Sequence, residues 1–335
     1  MLFILNQLVV LTKIVELIKI LYNLNKEDAM QLFNLPLNEV IQHIINGITV
    51  GAIYSLIALG YTMVYGILKM INFAHGEFLM MGTYVSLLIW DSLRKGGNNP
   101  FFYILAVICG MIFSAILGVT VEKVAYRPLR KSLRLAPLLS AIGVSIIISN
   151  LAALIFGTKS KKFEYPFSNS PVVIGMVSIT PHQILVIAAS LFLMFFLTLF
   201  INKTRWGKAM RAASEDIDTA SLMGINVDGI ISLTFAIGAA LAAIAGVFMG
   251  MEYKVYPTMG TMAGLKAFIA AVFGGIGNIA GAMVGGIIIG LLETFGVVIF
   301  GIPQGLKDTI SFLVLILILI VKPTGLLGKK VKEKV

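Results

Sequence analysis

Charge is what this chain has least of. Only 13% of its 335 residues are Asp, Glu, Lys or Arg, against about 25% in an ordinary soluble domain. With 58% hydrophobic residues and a mean hydropathy of +0.96, too little polar surface is left to cover a soluble fold, which excludes a cytosolic enzyme. Cysteine is nearly absent too. The single Cys109 excludes a disulfide scaffold, and its apolar neighbours mark it as a small packing residue. The three histidines, His43, His75 and His182, are scattered. Only Glu77 stands near one of them, so no metal site is expected. The phosphate-loop pattern G-x-x-x-x-G-K followed by Ser or Thr does not occur. Gly207-Lys208 lacks both the upstream glycine and the hydroxyl residue, so ATP has no such loop here. No nucleophile has a recognisable base and orienting group, so no catalytic residue is named. What is left points to transport.

What the chain has in quantity is long apolar runs. A hydrocarbon core of about 30 Å takes about 20 residues of helix. Residues 40–68, 101–121, 136–156, 183–201, 229–250, 278–299 and 308–321 qualify or nearly do. Two further stretches are short or interrupted: 70–90, which carries His75 and Glu77, and 263–276, which carries Lys266. The expected fold is therefore an all-α polytopic membrane protein with nine or ten membrane segments, some short or broken. Residues 1–38 form an N-terminal extension. Lys13, Glu16 and Lys19 collect on one side of a helix over 1–22, which fits either an interfacial helix or a tenth span. Residues 39–328 form the membrane domain, and 329–335 a basic tail.

The net charge of +10 would suit nucleic acid if it were dispersed, but it is concentrated in a few loops. Residues 122–134, 202–228 and 322–335 hold more than half of the basic side chains. By the positive-inside rule these segments, and the C-terminus, are expected in the cytoplasm, with 157–181 and 251–261 outside. Nucleic acid then has no claim on the charge.

Ten crossings would divide as five and five with opposite starting sides, the inverted repeat common in transporters. Asn46-Gly47-Ile48 and Asp228-Gly229-Ile230 give it faint support. Two interrupted runs say more: Asn72-Phe-Ala-His75-Gly76-Glu77 and Gly274-Gly275-Ile-Gly277-Asn278. Glycine and polar groups together inside an apolar run are expected where backbone lines a cavity or turns at the membrane face. The two runs are expected to lie near each other beside a translocation route. Gly275, Gly277 and Ala280 imitate a dinucleotide fingerprint but have no strand before them. Gly281 with Gly285 and Gly286 with Gly290 give small-residue spacing for close helix contact. Glu77 could serve a proton relay or sit at a helix start, where the dipole favours it. Glu293 is expected near an outer helix end in a structural role.

From Asn46-Gly-Ile-Thr-Val-Gly-Ala-Ile-Tyr54 through Gly60-Tyr-Thr-Met-Val-Tyr65-Gly66 to Asn72-Phe-Ala-His-Gly-Glu77, the chain resembles the membrane permeases of branched-chain amino-acid ABC importers. The likeness continues through Arg127-Pro-Leu-Arg130, Thr204-Arg-Trp-Gly-Lys-Ala-Met-Arg211, Gly224-Ile-Asn226 and Phe273-Gly-Gly-Ile-Gly-Asn278. It covers about residues 39–328. The resemblance implies a prokaryotic cytoplasmic-membrane subunit that forms a path for branched-chain or related hydrophobic amino acids. It binds no cofactor itself, since ATP is used by two cytoplasmic ATPase subunits. The other partners implied are a second related permease or a second copy, an extracytoplasmic binding protein, and the bilayer. Permeases of the family for urea or short amides, and an ion-coupled carrier, stay open as alternatives.

Two groups of residues follow as candidates. Asn72, His75, Gly76, Glu77, Gly274, Gly275, Gly277 and Asn278 are expected along the path. Arg205, Lys208, Arg211, Ala212, Ala213, Glu215, Asp216, Ala220 and Gly224 are expected to form a short coupling helix docking on the ATPase. Its alanines would enter the partner's groove and its charges would pair at the rim.

Overall fold

The computed structural model describes residues 36–328 apart from 98, 131, 134, 165, 167–169, 176, 300 and 301. The expectations for 1–22 and for the 329–335 tail lie outside the described residues. Eleven α-helices follow in order: α1 Leu37–Leu68, α2 His75–Leu93, α3 Pro100–Val121, α4 Leu135–Phe156, α5 Pro181–Lys203, α6 Arg205–Glu215, α7 Ile217–Leu222, α8 Val227–Glu252, α9 Met259–Gly274, α10 Ile279–Ile299 and α11 Lys307–Val321. Between α4 and α5 lies a small antiparallel hairpin, β1 Val172–Ile174 with β2 Val177–Ile179, in the register Val172 to Ile179. Seven of these helices, α3 being counted with its extension to Leu129, are long and apolar enough to cross a membrane. With α2 and the shorter α9 they coincide with the nine apolar stretches of the sequence. The chain is an all-α polytopic membrane protein.

Local sequence sets several boundaries. Asn99 accepts a hydrogen bond from the Phe101 amide ahead of Pro100, and Thr180 forms a reciprocal capping box with Gln183 ahead of Pro181. Proline at the first helical position costs nothing, because that amide has no partner in any case. Asn226 caps α8 through the Gly229 amide. Asp228-Gly229 therefore does open a span, whereas Asn46-Gly47 lies inside α1, more than two turns past its start at Leu37. Helix α3 does not stop at Val121. It continues as a π turn over Glu122–Tyr126 and a 3-10 turn over Arg127–Leu129, an irregularity that gathers polar side chains at its end.

The bundle is organised around α1 and α8, which are buried nearly all round, while α4 and α5 show most of their surface outward. A helix apolar on every side must be central or face lipid, and these two kinds divide the roles. The central pair crosses at Gly60 and Gly238, where a Cβ on Gly60 would stand 3.1 Å from the Gly238 carbonyl oxygen. Around them the contacts repeat with roles exchanged. Helix α10 lies along α1 through Gly51, Ser55 and Gly286, as α3 lies along α8 through Gly118 and Ser114. Helices α2 and α3 pack together as α9 and α10 do. Since α1 runs toward the end of the bundle where α8 begins, the two halves are inverted copies. The end carrying α6, α7 and residues 122–134 is called the basic end below.

The candidate functional sites

The first site is where the chain breaks. After α1, Lys69 takes a left-handed conformation (φ 53°) and its amide closes on Tyr65. Residues 70–74 then lead into α2. Helix α2 starts deep in the bundle, because the His75 ring lies against Gly60, about 12 Å along α1 from its end at 1.5 Å per residue. Helix α9 begins from the opposite side at the same depth. Gly76 and Gly260 face each other so closely that a Cβ on either would overlap the other's carbonyl oxygen. Two half-helices thus meet N-terminus to N-terminus.

Polar side chains tie this junction. Glu77, in the first turn of α2, accepts hydrogen bonds at Oε1 from Ser145 Oγ of α4 (3.0 Å) and Thr261 Oγ1 of α9 (3.2 Å). Asn72 Oδ1 accepts from the Tyr126 hydroxyl (2.7 Å) and from the Ala74 amide (3.0 Å), linking the break to the π turn of α3. His75 stands edge-on to Tyr61 with centroids 4.6 Å apart. Asn72, His75 and Glu77 are all buried at this junction.

Gly274, Gly275, Gly277 and Asn278 are elsewhere. They follow the far end of α9, about 20 Å of helix away from Gly260. There Gly277 approaches Gly66, and the segment packs on the chain after α11. Leu326 and Leu327 amides donate to the Phe273 and Gly274 carbonyls, and Asn278 Nδ2 donates to Leu327 (2.7 Å). This run packs against the end of α1 and the chain after α11, while Asn72–Glu77 leads into the junction with the start of α9. The true counterpart of Asn72–Glu77 is the start of α9, which the sequence hides because residues 253–260 read as an ordinary loop between two spans.

The second site is the α6–α7 pair at the basic end. Thr204 caps α6 through the Gly207 amide, and Asp216 caps α7 through the Thr219 amide. Helix α7 ends in a Schellman arrangement, with Gly224 at φ +81°, its amide on Ser221 and the Ile225 amide on Ala220. That left-handed position favours glycine. The single short helix expected here forms as two, and two of the expected contact residues face inward. Ala213 and Ala220 are buried in this chain's own fold and Ala212 is partly so. Helix α6 packs against α1 and α8, and α7 against α6 and α8. Arg211 is also committed internally, donating to the Ile201 carbonyl (2.9 Å) and Asn202 Oδ1 (3.0 Å) at the end of α5. The apolar residues left outward are Leu222, 87% exposed, Met223, 79%, and Trp206, 57%. Arg205, Lys208 and Glu215 are exposed beside them.

Each half of the bundle also buries a carboxylate that sequence reasoning left unpaired. Near the basic end Glu122 accepts from Arg127 (3.2 Å), Arg130 and Ser232 (2.7 Å), and Arg130 continues to Asp228 (2.6 Å). Near the opposite end Lys266 lies 2.9 Å from Glu293 and 2.7 Å from Asp308, with Tyr54 donating to Glu293 (2.9 Å) and Ser311 donating as well. Glu293 is near the end of α10 as expected, but it is buried. The available signal was Lys266 and Glu293, opposite charges in two apolar runs, which lipid exclusion pairs by default. Beside this cluster a cavity of about 320 Å³ opens between α1, α5, α8, α10 and the start of α11. Among the described residues no group of His, Cys, Asp or Glu could hold a metal ion.

The sequence has close counterparts. A family model described as branched-chain amino acid transport system / permease component matches residues 43–319. BraD, a high-affinity branched-chain amino acid transport system permease protein of Pseudomonas aeruginosa, is 46% identical over 304 residues, covering 88% of this chain and 98% of that protein. LivH of Escherichia coli K12, described in the same words, is 46% identical over 303 residues, covering 88% and 97%. A probable LivH of Methanocaldococcus jannaschii is 27% identical over 301 residues, covering 83% and 90%.

Proposed function

We propose, proceeding from the fact that this chain belongs to the permease family of branched-chain amino-acid transport systems, that it is the membrane subunit of an ATP-driven importer for such amino acids. It works with two cytoplasmic ATPase subunits, a second permease or second copy of itself, and an extracytoplasmic binding protein. The basic end faces the cytoplasm, as the clustering of lysine and arginine there favours. Lacking a phosphate loop, the chain receives force from its partners through α6–α7.

One observation carries the coupling step. At the basic end, the two short capped helices turn Leu222 and Met223 almost fully outward, which has a cost in water and a use against a partner groove. Arg205, Lys208 and Glu215 ring them with mixed charge, which sets orientation more than affinity. Helix α6 rests on α1 and α8, so a push on it reaches the two central helices. The junction of Asn72, His75, Gly76 and Glu77 then serves as the pivot where two half-helices shift past each other on bare glycine backbone. Gly274, Gly275, Gly277 and Asn278 hold the far end of α9 to the cytoplasmic side.

The test replaces Leu222 and Met223 with Asp in the full chain, co-produced with its ATPase subunits. Each loss is expected to cost about 1–2 kcal/mol of association, so ATPase recovered with the permease falls at least about tenfold. Membrane insertion and thermal midpoint should stay at the parent's values. Unchanged ATPase recovery and unchanged ATP-driven leucine uptake in the double variant would remove α6–α7 from the coupling role.

A further inference from the structure

The cavity beside the Lys266–Glu293 cluster has a composition that a mere packing defect would not have. It is lined on one side by Lys307, half-buried, whose ammonium stands 4.5 Å over the Tyr253 ring. Among the described residues that ammonium has no carboxylate or hydrogen-bond acceptor within bonding distance. Three donors are therefore unspent in a partly dry place, an arrangement that favours an incoming anion. Asn46 adds to it. Its Oδ1 is taken up by Gln183 (2.8 Å) and Gln42 (3.3 Å), while its amide nitrogen donates to no described residue. At the mouth Glu252 supplies the opposite charge, 3.2 Å from His182. The lining also holds branched apolar side chains, Val50 of α1 with Val297 and Val298 of α10, beside Thr49 and Thr294.

We infer that this cavity is a binding site for one free α-amino acid with a branched apolar side chain, a waypoint within the permease itself. The carboxylate meets Lys307 and the Asn46 amide, the ammonium faces Glu252, and the side chain rests on the three valines. The volume of about 320 Å³ lies at the small end of the range for small-molecule pockets, which suits one amino acid and excludes a peptide. Glu293 is not available for the ammonium, since Lys266, Tyr54 and Ser311 occupy it. It forms the fixed floor. The inference rests on the importer reading above, because the cavity opens at the end opposite α6–α7, where substrate would arrive.

The experiment reads thiol protection in the complete importer, reconstituted in vesicles without the soluble binding protein. Cys109, the chain's only cysteine, is changed to Ser, and Val297→Cys supplies the reporter. Val50→Cys serves as a second reporter should Val297→Cys assemble poorly. A membrane-impermeant charged maleimide is added from outside. Leucine at about ten times its dissociation constant should slow labelling about tenfold. The oxo acid lacking the ammonium and the amine lacking the carboxylate, each with leucine's side chain, should protect far less. Lys307→Met should label at the unprotected rate with or without leucine. Labelling that leucine never slows, or slows equally in Lys307→Met, overturns the site. Vesicles holding the parent importer, supplied with binding protein and ATP, are assayed for leucine uptake in parallel. Uptake without protection leaves the importer reading standing and removes the site, while absence of uptake removes the importer reading and the site with it.

Discussion

Two of the buried carboxylates, Glu122 and Glu293, answer one problem in two ways. Each sits on the helix that packs along a central helix, Glu122 where α3 runs into its π turn beside α8, and Glu293 on α10 beside α1. Each is 4% exposed or less. Glu122 is met by two arginines from its own helix extension, and these reach outward to Asp228, itself 56% exposed. Glu293 is met by one lysine, and that lysine is shared with Asp308 in a setting almost closed to water. The arginines and Asp228 of the first network can exchange one another for water, although Glu122 itself, 0% exposed, cannot. In the second, neither Lys266 nor Glu293 can. A π turn and a double arginine thus leave the outer part of the basic-end network open to solvent. The opposite end is held by a pair whose breaking strands a buried charge.

The largest expected effect follows from that contrast. Lys266→Met leaves Glu293 and Asp308 facing each other with their shared cation gone, which should cost about 3–5 kcal/mol. The measurement is the thermal midpoint of the detergent-solubilised chain, or its yield if the variant no longer folds. Adding Glu293→Gln to Lys266→Met should recover part of the loss, because a neutral amide can still accept from Tyr54 and Ser311. If Lys266→Met melts like the parent, the opposite end is not held by this pair.

A smaller effect is expected at the basic end. Glu122→Gln removes the acceptor of two arginines, but both retain Asp228 and solvent. Losing hydrogen bonds to a charged group there should cost about 1.5–3 kcal/mol. Because the arginines are partly solvated, the cost should shrink as salt rises, whereas that of Lys266→Met should not. Melting both variants at low and high ionic strength checks the contrast, and an equal salt response in the two would erase it.

How much of this was legible beforehand depends on which physical quantity carries each feature. Helix number and placement follow from apolar length, a one-dimensional property, and all nine stretches were readable. The inverted repeat was barely readable from Asn46-Gly47 and Asp228-Gly229, because its evidence is in three-dimensional contacts such as Gly60 on Gly238 and Gly76 on Gly260. The start of α9 was missed because nothing in 253–260 marks a chain descending into the bundle. Ala213 and Ala220 were assigned to the partner because small residues suit any close contact, and their spacing does not say on which side the neighbour stands. Met223 belongs to the apolar set that precedes Gly224 in the sequence, but Leu222 beside it is outside that set and turns out the more exposed of the two. The hairpin of β1 and β2 is too short to announce itself.

The finest distinction lies within the basic-end network. Arg127 and Arg130 both bind Glu122, yet Arg127 is 35% exposed and Arg130 16%. Arg127 reaches Asp228 only at 3.7 Å, while Arg130 stands 2.6 Å from it. When Arg127 is removed, Ser232 still donates to Glu122 and Arg130 still bridges to Asp228. Arg127→Gln should therefore cost less than about 1 kcal/mol, the range of exposed ion pairs. Arg130→Gln should cost more, since it uncouples the π turn from the start of α8. Thermal midpoints of the two variants at low salt decide the matter. Should Arg127→Gln cost as much as Lys266→Met, access to water would not be what separates the two ends, and the basic-end network would have to be explained by the geometry of the π turn alone.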